Sequence, residues 1–141
     1  MNLRFIGLLV SFEEGTRRLL EAKNYSLAED GMPVSVKSGD ILRVQIENGA
    51  AQITYPKGGY FRALGLLLEH LGDAQFSLEE QPRFDHLGLQ IDFSRNGALR
   101  IATIKEMMDS LALMGYNQLY LYMEDMYCVP GREYFGYMRG R

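Results

Sequence analysis

Apolar residues at the start of the chain recur at spacings that predict a strand followed by a helix. Residues 3–10 end in a continuous apolar run, which predicts a strand buried on both faces. Ser11, with Glu14 three residues later, has the capping-box pattern that begins a helix. The residues predicted to form the buried face of this helix are Phe12, Thr16, Leu19 and Leu20.

Alternating apolar and polar residues next predict a small sheet. Its three strands are predicted at residues 32–36, 41–47 and 51–55. In the second of them, Leu42, Val44 and Ile46 alternate with polar residues, as expected when one face of a sheet is buried. Asn48-Gly49 is a strong hairpin signal, so the third strand is expected to run antiparallel to the second. We therefore predict a mainly antiparallel sheet.

A second helix is predicted at residues 60–71, ending at Gly72. Its apolar positions are Phe61, Ala63, Leu64, Leu67, Leu68 and Leu71. A strand at residues 75–80 follows, and then Pro82 with charged neighbours. We place a domain boundary near residue 82, so that residues 1–82 form a small α+β domain with a sandwich of helices on a sheet.

The pattern from residue 83 onward predicts a strand, a helix and a second strand, with bounds at 88–93, 101–114 and 118–123. The buried stripe of the helix is predicted to comprise Ile104, Met107, Met108, Leu111 and Met114, and Thr103 with Glu106 has a capping-box spacing. Each strand runs directly into polar residues, at the end where α/β sheets and (β/α)₈ barrels place their sites. A parallel pair needs further strands and covering helices, so this unit is expected to leave a strand edge and apolar surface exposed.

Composition narrows the function classes without choosing one. The chain has 141 residues, 47% of them apolar and 23% charged, which is ordinary for a globular domain. A net charge of −3 argues against nucleic acid or an anionic membrane as the main partner. The single cysteine, Cys128, suits a reducing compartment, and no signal peptide or long apolar run is recognised, so a cytoplasmic location is expected. His70 and His86 lack metal-ligand spacing, and the glycine-rich phosphate loops are missing, so no metal or cofactor is implied.

Three charged residues follow the two predicted strands and are candidates for a binding site. Arg95 would present a planar set of donors to a carboxylate, a phosphate or paired sugar hydroxyls. The alternative is a structural salt bridge to Asp92 or Glu124. Glu124 and Asp125 are neighbours on an extended segment, so their side chains point to opposite faces and do not form a catalytic dyad. One of them is a candidate for orienting a substrate or holding Arg95.

Six of the nine tyrosines lie between residues 116 and 137. Tyrosine rings stack on the C–H faces of sugars while their hydroxyl groups form hydrogen bonds, so this enrichment is typical of a sugar site. Tyr120 and Tyr122 have a simpler interpretation as strand-forming residues. For Tyr127, Tyr134 and Tyr137, in the predicted loop, contact with a ligand or a domain partner remains open.

Several segments together resemble a known family. They are Ile-Asp-Phe-Ser-Arg-Asn at 91–96, Ile-Lys-Glu at 104–106, Leu-Ala-Leu-Met-Gly-Tyr at 111–116, Leu-Tyr-Met-Glu-Asp at 121–125 and Tyr-Phe-Gly-Tyr-Met-Arg-Gly at 134–140. This set is similar to the opening of the catalytic barrel of family 20 glycoside hydrolases, most of all to the bacterial intracellular type of β-N-acetylhexosaminidase. The likeness is dense from residue 88 onward and weaker in the small domain before it.

The resemblance implies a retaining hydrolase that removes terminal β-linked N-acetylhexosamine, with the acetamido oxygen of the substrate as nucleophile. Arg95 matches the family arginine that holds sugar hydroxyls, and Asp92 takes a structural role. The substrate-binding residues are then Arg95, Glu124, Asp125 and Tyr127. Gly97-Ala98 departs from the bulkier residues of the family pattern, which affects the expected turn.

The catalytic Asp-Glu pair of the family lies on the fourth barrel strand, and this sequence reaches only the second. We therefore expect the 141-residue chain to be inactive by itself. An alternative is a non-catalytic module that binds sugar or mediates assembly, and a homo-oligomer formed through the exposed strand–helix–strand unit is a further possibility. An unrelated nucleotide-binding domain is disfavoured because the phosphate loop is missing.

Overall fold

The computed structural model describes residues 1–94, 98–123 and 131, and in these ranges the chain has a mixed α+β fold. The strands are β1 (Asn2–Ile6), β2 (Ser26–Leu27), β3 (Met32–Ser38), β4 (Leu42–Glu47), β5 (Ala50–Tyr55), β6 (Phe76–Glu80), β7 (Gly88–Asp92) and β8 (Gln118–Tyr122). The helices are α1 (Val10–Ala22), α2 (Tyr60–His70) and α3 (Ile101–Leu113). Within these ranges, no helix has both the length and the apolar character needed to cross a bilayer.

The first six strands form one sheet in the order β2-β1-β3-β5-β4-β6. Strand β1 is parallel to β2 and β3, β3 is parallel to β5, and only the β4–β5 and β4–β6 pairs are antiparallel. The prediction of a mainly antiparallel sheet is therefore wrong, and the sheet is mixed. One reason is that α1 connects β1 to β2 as a crossover, so that the two strands run in the same direction. The other is that β5 inserts between β3 and β4 and is parallel to β3.

The predicted hairpin is confirmed at β4 and β5. Asn48 and Gly49 both adopt positive φ, at 51° and 74°, as the tight two-residue turn requires. The turn sets Val44 opposite Ile53, and both side chains are buried. Two residues with left-handed backbone thus determine which face of both strands enters the core.

Helices α1 and α2 cover one face of this sheet and leave the other face polar. Helix α2 contacts β4 and β5, and Thr16 of α1 shares a hydrogen bond with Tyr60 of α2. The core consists of the buried residues Leu3, Leu19, Leu20, Val34, Val36, Leu42, Val44, Ile46, Ala51, Ile53, Tyr55, Tyr60, Ala63, Leu64, Leu66, Leu67 and Leu71. The predicted apolar faces of α1 and α2 are confirmed by this list, by the buried Thr16 and by the half-buried Phe12, Phe61 and Leu68 packed against the core.

Two predictions about the N-terminal segment are wrong. The strand ends at Ile6, and α1 already begins at Val10, whose side chain is 81% exposed. Gly7 breaks the strand because it adopts a φ of 82°, and a Cβ there would lie 2.6 Å from the carbonyl oxygen of Val36. The continuous apolar run therefore belongs to a turn and a helix start rather than to a buried strand.

The predicted capping boxes are not formed either. Leu9 and Arg100 occupy the N-cap positions of α1 and α3, and neither makes a side-chain capping bond. Ser11 and Thr103 lie one or two residues inside their helices, so the spacing to Glu14 or Glu106 no longer matches the cap.

The strand–helix–strand prediction for β7, α3 and β8 is confirmed. Strands β7 and β8 form a separate parallel pair with Gly88 opposite Gln118 and Asp92 opposite Tyr122. The predicted buried stripe of α3 is wrong, because no residue of this helix is buried, and Met108 and Met114 are exposed. The unit leaves apolar surface uncovered, as the sequence pattern predicts.

Helix α3 is docked against α2 of the preceding unit. Gly65 makes this possible, because a Cβ at this position would overlap the carbonyl oxygen of Leu113. Arg18 of α1 also forms an ion pair with Asp109 of α3. The boundary near residue 82 remains a prediction, since the two sheets are separate while their helices are in contact.

Candidate functional site

The candidate site lies where β7 and β8 end. Because the two strands are parallel and in register, the chain leaves both at the same edge of the pair. The backbone N–H of Phe93 donates a hydrogen bond of 2.9 Å to the carbonyl oxygen of Tyr122, which extends the pairing one residue past Asp92. The two strand ends therefore lie side by side, in the arrangement typical of α/β sites.

A short turn fixes the end of β7. Oδ1 of Asp92 accepts hydrogen bonds from the backbone N–H of Ser94, at 2.8 Å, and from its Oγ, at 2.5 Å. Ser94 is 3% exposed, so this hydroxyl is satisfied within the protein. An aspartate bonded two residues ahead in this way stabilises a turn, which is the structural role expected of Asp92.

The four predicted substrate-binding residues, Arg95, Glu124, Asp125 and Tyr127, lie outside the described residues, as do Tyr134 and Tyr137. What the structure describes is the pair of strands leading to them. Their assignment remains a prediction.

The two faces of the β7–β8 pair differ in chemistry. Leu89, Ile91 and Leu119 share one face and are half-buried. On the opposite face, the exposed residues are Gln90, Asp92, Tyr120 and Tyr122. This second face is referred to below as the open face. It combines two aromatic rings with an amide and a carboxylate, and it ends at the site edge.

Tyr120 has an ordered position on the open face because its neighbour is a glycine. A Cβ at Gly88 would lie 2.6 Å from Cε2 of the Tyr120 ring, so the ring rests across β7. The Tyr120 hydroxyl donates to Oε1 of Gln118, and the Gln118 amide is 2.8 Å from Nδ1 of His86. Sequence reasoning treated Tyr120 as a strand former and missed this contact, although a glycine opening β7 was its available signal.

Asn117 fixes the opposite end of the pair. Its Nδ2 donates to the carbonyl oxygen of Asp85 at 2.8 Å, and its Oδ1 accepts from the backbone N–H of Leu87 at 3.0 Å. One amide thus ties the segment before β7 to the start of β8. This residue was also missed, because an asparagine in a turn carries no sequence signal for its distant partners.

The groups with shifted pKa values and the histidines do not form a second functional site among the described residues. Burial raises the pKa of Tyr60, and a hydrogen bond to Glu80 raises the pKa of Arg62, but both belong to the helical layer of the first unit. His70 lies 2.8 Å from Asp73 and stacks on Phe76, so it closes the turn after α2. In the part of the chain that is described, no group of three or more His, Cys, Asp or Glu side chains could hold a metal ion.

Two comparisons of the sequence with known proteins identify no relative of the chain. No family model matches the chain, and no curated protein is detectably similar to it in sequence. Any functional assignment therefore depends on the residues themselves and on the geometry of the strand ends.

Proposed function

We propose that this chain is the N-terminal part of a β-N-acetylhexosaminidase of glycoside hydrolase family 20. The observation that carries the proposal is the in-register parallel pairing of β7 with β8. It brings the ends of the two strands, Asp92 and Tyr122, to one edge, and the Ser-Arg-Asn and Glu-Asp segments follow these ends in the sequence, as a sugar site at the mouth of a barrel requires. The residues of the two segments also carry the family resemblance.

In the proposed enzyme, this edge supplies one wall of the subsite for the terminal sugar. Arg95 donates paired hydrogen bonds to sugar hydroxyls, for which a planar guanidinium is suited. Glu124, Asp125 and Tyr127 follow β8 and contribute acceptors and an aromatic ring to the same wall. The substrate is a glycan or glycoconjugate ending in β-linked N-acetylhexosamine, and its acetamido oxygen displaces the leaving group with net retention.

The residues that polarise the acetamide and protonate the leaving oxygen are an Asp-Glu pair on the fourth strand of such a barrel. This pair is not among the 141 residues of the chain, so the chain alone is expected to be inactive. No metal or cofactor takes part in this mechanism, and neither nucleic acid nor a membrane is a partner in it. A cytoplasmic location belongs to the same proposal.

The corresponding fold proposal is that residues 83–141 open a (β/α)₈ barrel, with residues 1–82 as the small domain before it. Apolar side chains on both sides of β8 support it, since Tyr120, Leu121, Tyr122 and Met123 are all exposed. A strand exposed in this way is typical of a sheet that continues. In a barrel, the open face would be the inner one.

A second candidate is a non-catalytic module that binds sugar or mediates assembly, including a homo-oligomer formed through the β7–α3–β8 unit. The observation in its favour is the same uncovered apolar surface, because large exposed patches mark interaction sites. In this case the partner would be a second copy of the chain rather than the rest of a barrel.

A chromogenic N-acetyl-β-glucosaminide assay separates these proposals. It is performed on the 141-residue chain and on a version that continues through the strand carrying the Asp-Glu pair. We expect turnover only by the extended protein and its strong reduction by Arg95→Ala, with Arg83→Ala as the matched control outside the site. If the 141-residue chain hydrolyses the substrate, the proposal that the catalytic pair lies outside it is wrong. If neither protein hydrolyses the substrate, the enzyme assignment is wrong.

A further inference from the structure

The turn between β4 and β5 also contains two groups that can react with each other. In an asparagine followed by glycine, the backbone nitrogen of the glycine can attack the side-chain amide carbon, and no Cβ hinders its approach. Asn48 and Gly49 are both exposed, and no atom lies within 4 Å of the position that a Cβ of Gly49 would take. The reacting atoms and water therefore have free access to each other at this turn.

Both reacting groups are free of hydrogen bonds. Within the described residues, neither the side-chain amide of Asn48 nor the backbone N–H of Gly49 has a hydrogen-bond partner. Asn24 also has positive φ, at 61°, but the backbone N–H that follows it belongs to Tyr25 and donates to the carbonyl oxygen of Leu20 at 2.9 Å. The side chains of the other two described asparagines form hydrogen bonds; these residues are Asn2 and Asn117.

The backbone of the turn determines whether the two atoms can meet. With positive φ at both residues, the turn is of type I′. Rotation of the peptide group between residues 48 and 49 gives type II′, the other turn that two-residue hairpins favour, in which ψ of the first residue is roughly −120°. At this ψ, the nitrogen of residue 49 lies on the same side of the Cα–C bond as Cβ of residue 48, as closure of a five-membered ring requires.

This rotation does not require the hairpin to open. Gly49 adopts the negative φ of a type II′ turn as readily as its present positive φ. Both turn types join the same strand ends, so the pairing of Glu47 with Ala50 is kept. The reactive conformation is therefore accessible in the folded chain.

We propose that Asn48 is a deamidation site that reacts within the folded chain. The Gly49 nitrogen forms a bond to Cγ of Asn48, the bond from Cγ to the amide nitrogen breaks, and ammonia leaves with the proton of the backbone N–H. Water then opens the cyclic imide at either carbonyl carbon, which gives aspartate or isoaspartate. The product carries one more negative charge than the parent chain, whose net charge is −3.

The isoaspartate product changes the hairpin itself. Its backbone runs through Cβ, so the two-residue turn becomes one atom longer and loses the geometry that matches the two strands. This turn aligns Val44 with Ile53, so isoaspartate is expected to loosen the pairing of β4 with β5. The aspartate product keeps the turn, because Asp-Gly also favours type I′.

The test is incubation of the 141-residue chain in mildly alkaline buffer, with and without urea, followed by trypsin digestion and mass spectrometry. Asn48 and Asn24 fall in separate peptides, residues 44–57 and 24–37, and Asn96-Gly97 falls in a third, residues 96–100. Fragmentation distinguishes Asn48 from the two glutamines of its peptide. Asn48 should convert in the folded chain within about tenfold of its rate in urea, since both turn types are favoured in hairpins.

A reaction that required unfolding would be slower than in urea by roughly a thousandfold or more. Asn24 should stay unconverted in the folded chain. Conversion of Asn48 in urea only, or conversion of Asn24 at an equal rate in the folded chain, would overturn the proposal. Circular dichroism confirms that the chain without urea stays folded during the incubation.

Asn48→Gln is the matched control, because its longer side chain would have to form a six-membered ring. It should show no modification at position 48, and modification there at the parent rate would overturn the proposed reaction. The isoaspartate form of the parent chain, separated by anion exchange, should exchange the amide hydrogens of β4 and β5 faster than the unmodified chain. Equal exchange would overturn the assigned effect on the hairpin.

Discussion

The first unit of the molecule and the β7–α3–β8 unit are built from the same kinds of elements, yet only the first completes a core. In the first, α1 and α2 cover a six-stranded sheet, and every buried apolar side chain among the described residues lies between Leu3 and Leu71. In the second, α3 has no buried residue, and β7 pairs only with β8 in the described chain. The difference shows that the formation of strands and helices does not by itself bury their apolar faces.

The second unit is ordered partly by its attachment to the first. The close approach of Gly65 to Leu113 and the packing of Arg62 beside Gly115 join α2 to the end of α3. Two parallel strands alone are too few for an independent fold. We therefore expect stability to be concentrated in the first unit and the second unit to depend on the α2–α3 contact.

The largest expected effect comes from opening a cavity in the first unit. Leu64 is fully buried, so Leu64→Ala should lower the free energy of unfolding by about 3 kcal/mol. Leu121→Ala removes the same atoms from an exposed strand residue and should cost less than about 1 kcal/mol. Urea unfolding followed by circular dichroism measures both. Similar losses for the two variants would contradict the contrast between the units.

A smaller effect is expected at the contact between the units. Gly65→Ala places a Cβ against the backbone of Leu113, so α3 must shift, at a cost of about 1–2 kcal/mol. Amide hydrogen exchange should accelerate in β7, α3 and β8 more than in β3, β4 and β5. Gly72→Ala is the matched control, because a Cβ there meets no atom within 4 Å. Uniform acceleration over both sheets would show that the units unfold together.

The next effect concerns the pH dependence of the first unit. Burial raises the pKa of Tyr60 above its unfolded value of about 10. Its contribution to stability is therefore complete below pH 10 and is lost as the pH rises above it, by up to about 1.4 kcal/mol per pH unit. Tyr60→Phe cannot ionise and should show a shallower decline in unfolding free energy above pH 10. If the free energy of unfolding fell equally steeply with pH in the parent chain and in Tyr60→Phe, the phenol of Tyr60 would not be held neutral by burial.

The smallest effect is expected from the ion pair between Arg18 and Asp109, although it also joins the two units. The side chain of Arg18 is 60% exposed, so water and salt screen the pair. Arg18→Ala should change the free energy of unfolding by less than about 0.5 kcal/mol. A loss comparable to that of Gly65→Ala would mean that charge, rather than close helix packing, holds α3 in place.

Local patterns predicted the elements well where a strong short-range signal existed. Asn48-Gly49 specified a turn, and the alternation of Leu42, Val44 and Ile46 specified the buried face of β4. Sheet topology was not predictable in the same way, because parallel pairing of β1 with β3 is decided by packing of α1 rather than by residues in the strands. The capping boxes failed because the helices begin one residue before Ser11 and two residues before Thr103, at positions that no side chain marks.

For the candidate site, sequence reasoning predicted the two strands that lead to it, and the residues that follow them remain a prediction. The polar residues after two apolar strands predicted the shared edge, and the in-register pair of β7 and β8 is the structural basis for it. The exposure of Tyr120, Tyr122, Met108 and Met114 was not predictable from spacing, since apolar periodicity indicates a face but not whether anything covers it. The contact of Tyr120 with Gly88 likewise depends on which strand lies beside β8.

The insertion of β5 between β3 and β4 has a kinetic consequence. The β4–β5 hairpin joins residues that are close in sequence and can form within microseconds, whereas pairing of β5 with β3 must close a longer loop. We expect the hairpin to assemble first and to dock on β3 as a finished ribbon. The two-residue turn at Asn48-Gly49 would then determine how early the central sheet forms as well as how its strands are aligned.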